Sequence, residues 1–221
     1  MKRLVFFAFV LWVVLACARK SEDQDYLIRV GTASVTVAEF KRAVEAAGEE
    51  AFPGEQAISP TTMNDLRMRV LNQMTEELII TEHAKRIGIQ ISEQELEASI
   101  AAVKADYPDD TFEKTLLENA VSFQAWKQKM ATRLLIDKVI ATELVDKVEI
   151  TSEDVTAYFG AHYPNGVPEG EDAEEINRKI VMHLRQQKAE EMYHGWIEKL
   201  KRDFPVDVHQ KRWNQLIELS S

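Results

Sequence analysis

The stretch from Ser59 to Ile150 constrains the fold most, because it carries a nearly unbroken helical pattern that predicts four helices. The first runs from about Pro60 to Ile87 and repeats apolar residues three or four positions apart, which places them on one helical face. These residues are Met63, Leu66, Val70, Met74, Leu78 and Ala84. An apolar helix face is buried against other elements in a folded protein, so the stretch predicts helices packed against one another.

The other three helices carry their own signals. Ser92-Glu93-Gln94-Glu95 is a capping box and opens the second helix. The third is short, and the fourth runs from about Phe123 to Val148. Their apolar residues are Leu96, Ile100 and Val103 in the second helix, Phe112, Leu116 and Leu117 in the third, and Trp126, Met130, Leu134, Val139 and Ile140 in the fourth.

A small β-hairpin is predicted before the helices. Tyr26–Val30 and Ser34–Val37 are rich in β-branched residues and flank a turn that contains glycine. Thr36-Val37-Ala38-Glu39 is a second capping box, and the short helix after it is predicted to end at Gly48. Two strands alone are marginally stable, so this hairpin needs further support.

A long helix is predicted near the end of the chain, from about Ala173 to Phe204. Its apolar positions include Ile176, Ile180, Leu184, Met192, Trp196 and Leu200. Pro205 stops it, Val206–Val208 alternates like a strand, and the tail His209–Ser221 predicts a last short helix.

The first residues have the pattern of a targeting segment. Lys2 and Arg3 precede an apolar run, Leu4–Leu15, which leads into Cys17, the only cysteine of the chain. This pattern resembles a bacterial lipoprotein signal peptide at 1–16, and the resemblance implies lipid attachment at Cys17, with a tether over 17–25. An ordinary secretory signal or an N-terminal membrane anchor are the alternatives.

Charge and motif content narrow the function. The formal net charge of −10 argues against a nucleic-acid partner or an anionic membrane surface, since both need a clustered basic face. The sequence has neither a phosphate-binding glycine loop nor a Gly-x-Ser-x-Gly nucleophile motif. Glu191 and His194 have metal-ligand spacing, but a second such pair is missing. We therefore predict no nucleotide, metal, cofactor or catalytic residue.

The remaining candidate feature is apolar. Methionine and aromatic side chains at helical spacing are typical of surfaces that bind irregular partners. The candidates are Met63, Met68, Met74, Phe123, Trp126, Met130, Tyr158 and Phe159. The same spacing is typical of core packing, which it favours for most of them, whereas Met68 lies off the Met63/Leu66/Val70/Met74 stripe.

Several segments resemble the SurA/PrsA family of extracytoplasmic chaperones. The similar segments are Ile28–Phe40, Leu71–Ile80, Ala84–Leu96 and Val148–Phe159. The resemblance implies a mainly α fold, in which an N-terminal hairpin and a C-terminal strand form a small sheet and a long C-terminal helix closes a SurA-like helical core. Residues 26–221 would form this domain, divided into 26–160, a loop at 161–172, and 173–221.

One departure from the family lies in that loop. Most relatives carry one or two parvulin-type prolyl isomerase modules after the segment matching Tyr158–Phe159, whereas this chain has the short, Pro- and Gly-containing stretch Ala161–Asp172. The resemblance therefore implies binding without the isomerase chemistry of most relatives.

The function implied by the resemblance is an ATP-independent holdase for unfolded secreted or outer-membrane proteins. It would sit outside the cytoplasm, anchored through Cys17, and Ala18 after the cysteine favours the outer membrane. Two alternatives stay open. One is a prolyl isomerase, as in most relatives, and the other is a scaffold lipoprotein that binds one folded partner.

Overall fold

A computed structural model describes residues 25–54, 58–108, 111–168, 170 and 172–218. The predicted signal peptide and Cys17, the lipid-attachment candidate, lie outside the described residues. The elements, in chain order, are β1 (Tyr26–Val30), β2 (Ala33–Thr36), α1 (Val37–Ala51), α2 (Pro60–Ile87), α3 (Glu93–Ala105), α4 (Thr111–Glu118), α5 (Phe123–Glu143), a 3₁₀ turn (Val145–Lys147), α6 (Ser152–His162), α7 (Ala173–Asp203), β3 (Val206–Val208) and α8 (Gln210–Glu218).

Side-chain caps fix where most of the helices begin. In the capping boxes of α1, α3 and α6, a Thr or Ser oxygen accepts from the third backbone N–H and the acid at that position accepts in return. These residues are Thr36 with Glu39, Ser92 with Glu95, and Thr151 with Asp154. Because such caps are local, the sequence locates these helix starts well.

A three-stranded antiparallel sheet joins the two ends of the described chain. The strand order is β2-β1-β3, so the N-terminal strand lies in the centre and the C-terminal strand completes the sheet. Ile28 lies opposite Val208 and Val30 opposite Val206, while Arg29 Nη2 donates to Asp207 Oδ2 at 2.9 Å on the exposed face. The predicted fold class, mainly α with a hairpin completed by a C-terminal strand, is confirmed.

The first core cluster lies between the sheet and helices α1, α2 and α8. Phe40 of α1 meets Trp213 of α8 edge to face, with ring centroids 5.9 Å apart. The buried members are Leu27, Ile28, Val35, Phe40, Val44, Leu66, Val70, Leu71, Trp213 and Leu216. The tail predicted as a short helix therefore contributes two core side chains.

The second and third clusters lie where α2, α5 and α7 meet. The second contains Val30, Ile79, Ile80, Ala84, Val139, Ile197 and Leu200. The third, formed by Leu144, Val148 and Ala189, fixes the end of α5 against α7. Helix α2 thus contributes to two clusters: residues 66–71 face the first and residues 79–84 face the second.

Three predicted boundaries were wrong. The fourth helix was predicted to reach Val148 but ends at Glu143, because the chain then turns and buries both Leu144 and Val148. Helix α1 continues through Gly48 to Ala51, and the Phe52 N–H donates to the Gly48 carbonyl oxygen. The second strand begins at Ala33 and ends at Thr36, which also caps α1.

We predict that Gly48→Ala stabilises the protein, by about 0.5–1 kcal/mol in the free energy of unfolding. The added Cβ would lie 3.6 Å from Leu66 Cδ2, an ordinary contact, and alanine favours the helix interior. Gly31→Ala is the opposite control, because Gly31 has φ +56° and its Cβ would lie 2.5 Å from Glu82 Oε2. Urea denaturation measures both, and destabilisation by Gly48→Ala would contradict this packing.

Candidate functional site

Two sets of helices extend from the α2/α5/α7 junction. We call α3, α4 and the first half of α5 the first arm, and α6 with the first half of α7 the second arm. Helix α3 packs on α5, and α6 packs on α7. Among the described residues, Ile100 is the one buried side chain of α3, and α6 has none. The arms therefore expose most of their surface.

Ion pairs made by the capping acids join the starts of α3 and α6 to the helices on which they pack. Lys138 Nζ of α5 lies 2.6 Å from Glu95 Oε1 at the start of α3, and Lys188 Nζ of α7 lies 2.6 Å from Asp154 Oδ2 at the start of α6. The Lys138 ammonium, together with hydrogen bonds from Ser92, lowers the pKa of Glu95 to about 2. Lys188 and Thr151 lower the pKa of Asp154 to about 2 in the same way. Each carboxylate thus caps one helix and binds the next.

An aromatic cluster closes the end of the first arm. Phe112 of α4 is buried, and its ring centroid lies 4.8 Å from that of Trp126 and 5.4 Å from that of Tyr107. Phe123 stacks on Trp126 at 5.8 Å. Lys104 Nζ lies 5.1 Å from the centroids of Phe112 and Phe123, within the range of a cation–π contact.

Apolar side chains around this cluster are exposed. They belong to Tyr107, Leu117, Val121 and Phe123, which we call the tip patch. Leu117, one of the apolar residues of the predicted third helix, is 79% exposed. Helix α4 has eight residues and buries only Phe112, so it has no second core-facing position for Leu117. Large exposed apolar side chains grouped in one place are typical of interaction surfaces.

The second arm places the other aromatic candidates. Tyr158 stacks on His162 with centroids 3.9 Å apart and lies against His183 of α7, while Phe159 stacks on Tyr163. Both candidates are half-buried. On α7, Met182 is 68% exposed, and Met192, one of the apolar positions named in the predicted long helix, is also exposed. Ala189 and Ile197 occupy the buried face near Met192 instead.

The methionine candidates lie in different places. Met63 and Met74 are half-buried and pack on the first core cluster, whereas Met68 is exposed, as its position off the stripe predicts. Met130 is half-buried on α5, like Trp126. The structure therefore brings together Phe123 and Trp126, and it separates them from the three candidates on α2. A binding role for each candidate stays a prediction.

A cavity that the sequence did not reveal lies beside α1. It has a volume of about 620 Å³ and is shared by α1, α2, α8 and the connection before α2. Its apolar lining consists of Phe40, Val44, Phe52, Ile58, Met63 and Leu216. A second cavity of about 700 Å³ shares Lys41 and Leu216 with it, so the two adjoin along α1. Helical spacing marks Val44 and Leu216 as apolar but cannot show which tertiary gap they border.

Neither a metal-ligand cluster nor a membrane-spanning helix is found in the part of the chain that the structure describes. No three His, Cys, Asp or Glu side chains within it gather as metal ligands, and Glu191 and His194 are both exposed. Within the same ranges, no helix combines the length and hydropathy that crossing a bilayer requires. The chemistry available on these surfaces is that of apolar and charged contacts.

Comparisons with known proteins agree on one family. The model of the SurA-like N-terminal domain matches residues 3–140. The chain is 26% identical over 128 residues to a protein named Chaperone SurA from Chromohalobacter salexigens, and this match covers 52% of the chain and 29% of that protein. A solved structure from a study of PEB4 and Cj1289 of Campylobacter jejuni, described as structurally related SurA-like chaperones, shares the fold with a TM-score of 0.53. It is 9% identical, and the match covers 83% of this chain and 98% of that one.

We predict that Phe112→Ala loosens the first arm, because it removes the ring on which Trp126 and Phe123 rest. Truncating a buried phenylalanine costs about 3–5 kcal/mol, here in the local stability of the arm. Leu117→Ala, on the same helix, is the matched control and is expected to cost less than about 0.5 kcal/mol. Hydrogen exchange of the α4 amides measures both. Equal protection in the two variants would show that Phe112 does not organise the arm.

Proposed function

Because the chain belongs to the family of SurA-like N-terminal domains, we propose that it is an ATP-independent chaperone that holds unfolded polypeptides outside the cytoplasm. The family assignment supports this proposal first, and the exposed apolar surface of the first arm supports it second. The mechanism is binding without turnover: apolar side chains of the client leave water on the chaperone surface until the client folds or is passed on.

We assign client binding to the tip patch, and its exposed apolar side chains are the observation that supports this assignment. Four large apolar side chains lie exposed around a rigid aromatic cluster, so the contact surface is presented without prior rearrangement. A disordered client loses conformational entropy when it is held, which keeps the net affinity of each contact low. A holdase therefore gains from several separate apolar surfaces, and the exposed Met182 and the cavity beside α1 supply further ones.

The acidic surface keeps such a complex in solution. With a formal net charge of −10, copies of the chain repel one another, and the exposed apolar residues are less prone to drive self-association. Within the first arm, Lys127 Nζ lies 2.5 Å from Glu97 Oε1, so part of the acidic charge is paired.

We place the chaperone at a membrane through Cys17, with the outer membrane favoured. The apolar run before Cys17 and the polar tether after it support this location. In this arrangement residues 26–221 form one domain built on the sheet that joins β1 and β3. The tether enters the sheet at Tyr26, so the sheet end of the molecule lies toward the membrane.

Holding is favoured over prolyl isomerisation by the connection between α6 and α7. Helix α6 ends at His162 and α7 begins at Ala173, and this short connection, at the position where most relatives carry parvulin modules, supports holding without isomerisation.

We predict that the protein suppresses aggregation of a chemically unfolded model protein at stoichiometric amounts without nucleotide. Replacing Leu117, Val121 and Phe123 by Ser should raise the amount needed several-fold, because it removes the apolar surface of the tip patch. The control replaces Ile87 and Val167 by Ser, because both are exposed apolar residues that lie outside the tip patch, and little change is expected. Light scattering measures the effect. A wild-type protein that gives no suppression at any ratio would refute the holdase function.

A further inference from the structure

Among the described residues, His83 of α2 is the one buried polar side chain, and it has no role in the proposed client binding. It is 5% exposed and lies at the junction of α2, α5 and α7, from which both arms extend. Trp196 of α7 and Phe204, the residue after α7, meet its ring edge to face, with centroids 6.2 and 6.1 Å away. His83 is therefore a titratable ring enclosed by the helices of this junction.

The neighbours of His83 fix its tautomer. Arg86 Nη2 lies 3.2 Å from Nδ1, and a guanidinium can only donate, so Nδ1 must be the acceptor in the neutral ring. The ring proton therefore sits on Nε2. This N–H has no hydrogen-bond partner in the described structure, because the nearest carboxylate oxygen, Glu143 Oε2, is 3.7 Å away.

Charged groups from each neighbouring element face this ring. Arg86 comes from α2, Glu143 from α5, and Asp203 from the end of α7. Arg86 Nη2 also binds Asp203 Oδ2 at 3.1 Å and its guanidinium lies 4.4 Å from the Phe204 ring, so Arg86 ties α2 to α7. Lys147 of the 3₁₀ turn holds Glu143 Oε1 at 2.9 Å.

We propose that His83 is a proton-sensitive joint, in which a proton taken up at Nδ1 displaces Arg86 and draws the ring toward Glu143. The new N–H would face a guanidinium that can only donate, so the bond between His83 and Arg86 is lost. The charged ring gains attraction to Glu143 across the 3.7 Å gap. Proton uptake thus breaks a contact within α2 that orients Arg86, the residue that binds Asp203 of α7, and it strengthens a contact with Glu143 of α5. Both changes fall at the junction of α2, α5 and α7.

Burial and the Arg86 charge lower the pKa of His83 from its ordinary value of 6.5, while Glu143 and Asp203 oppose this shift. With a lowered pKa in the folded state, the unfolded chain takes up the proton first as the pH falls. The stability that the neutral ring confers is therefore complete above pH 6.5 and is lost as the pH falls toward the pKa of the folded state. Once the pH is below the pKa of His83 in both the folded and the unfolded state, the free energy of unfolding lost through this group no longer increases.

The test compares the wild-type full chain with His83→Gln between neutral and mildly acidic pH. Glutamine still accepts from Arg86 but does not titrate. In the wild type, titration of His83 should raise the unfolding equilibrium constant by up to about tenfold for each unit by which the pH falls. His83→Gln should remove this contribution to the dependence of the unfolding equilibrium constant on pH. His194→Gln makes the same substitution at an exposed position and serves as the control for the loss of an imidazole. A His83→Gln slope equal to that of the wild type overturns the proposal.

A second measurement keeps the proposal testable even if His83→Gln folds poorly. Nuclear magnetic resonance of the ring nitrogens reports the tautomer and the titration of His83 in the wild type. We expect Nε2 to carry the proton at neutral pH, and Arg86→Met to raise the pKa of the ring. A protonated Nδ1 at neutral pH, or a titration that Arg86→Met leaves unchanged, contradicts the joint. Neither readout uses a client, so failure here leaves the holdase proposal standing.

Discussion

The rest of the structure depends on the pairing of β1 with β3, which joins the two ends of the described chain. Without Val206–Val208, the N-terminal strands form an isolated hairpin, which is marginally stable in water. With it, β1 becomes a central strand, and Leu27, Ile28 and Val30 are fully buried. The same return brings α8 against α1, where Trp213 packs on Phe40.

Helix α2 connects the sheet with the junction of α2, α5 and α7, from which the two arms extend. Its first half packs on the first core cluster, and its second half contributes Ile79, Ile80 and Ala84 to the second cluster, at the junction with α5 and α7. At about 1.5 Å per residue, the 31 residues of α7 span about 45 Å, so one end can reach the sheet while the other supports α6. A rigid base thus presents two exposed arms, and His83 lies where they meet it.

Local signals predicted the elements well, whereas burial within the arms depended on tertiary packing. Ser92, Thr151 and the glycine turn of the hairpin act over a few residues, so the sequence located the strands and the helix starts. Gly48 misled because a glycine followed by polar residues resembles a helix end, but here it packs beside Leu66 inside α1. The exposure of Leu117 and the cavity at Leu216 arise from distant segments, which no periodicity encodes. Phe123 and Trp126 were named as candidates from the sequence, and only the structure shows them stacked with Phe112 beneath.

The central claim is that unfolded clients bind the tip patch, and site-specific photocrosslinking tests it most directly. A photoreactive residue is placed at Leu117 or Phe123, and at the exposed, polar Gln73 of α2 as the control. The account predicts crosslinks to an unfolded polypeptide at the two tip positions, few at Gln73, and none once the polypeptide has folded. Equal crosslinking at all three positions, or undiminished crosslinking to the folded polypeptide, would contradict it.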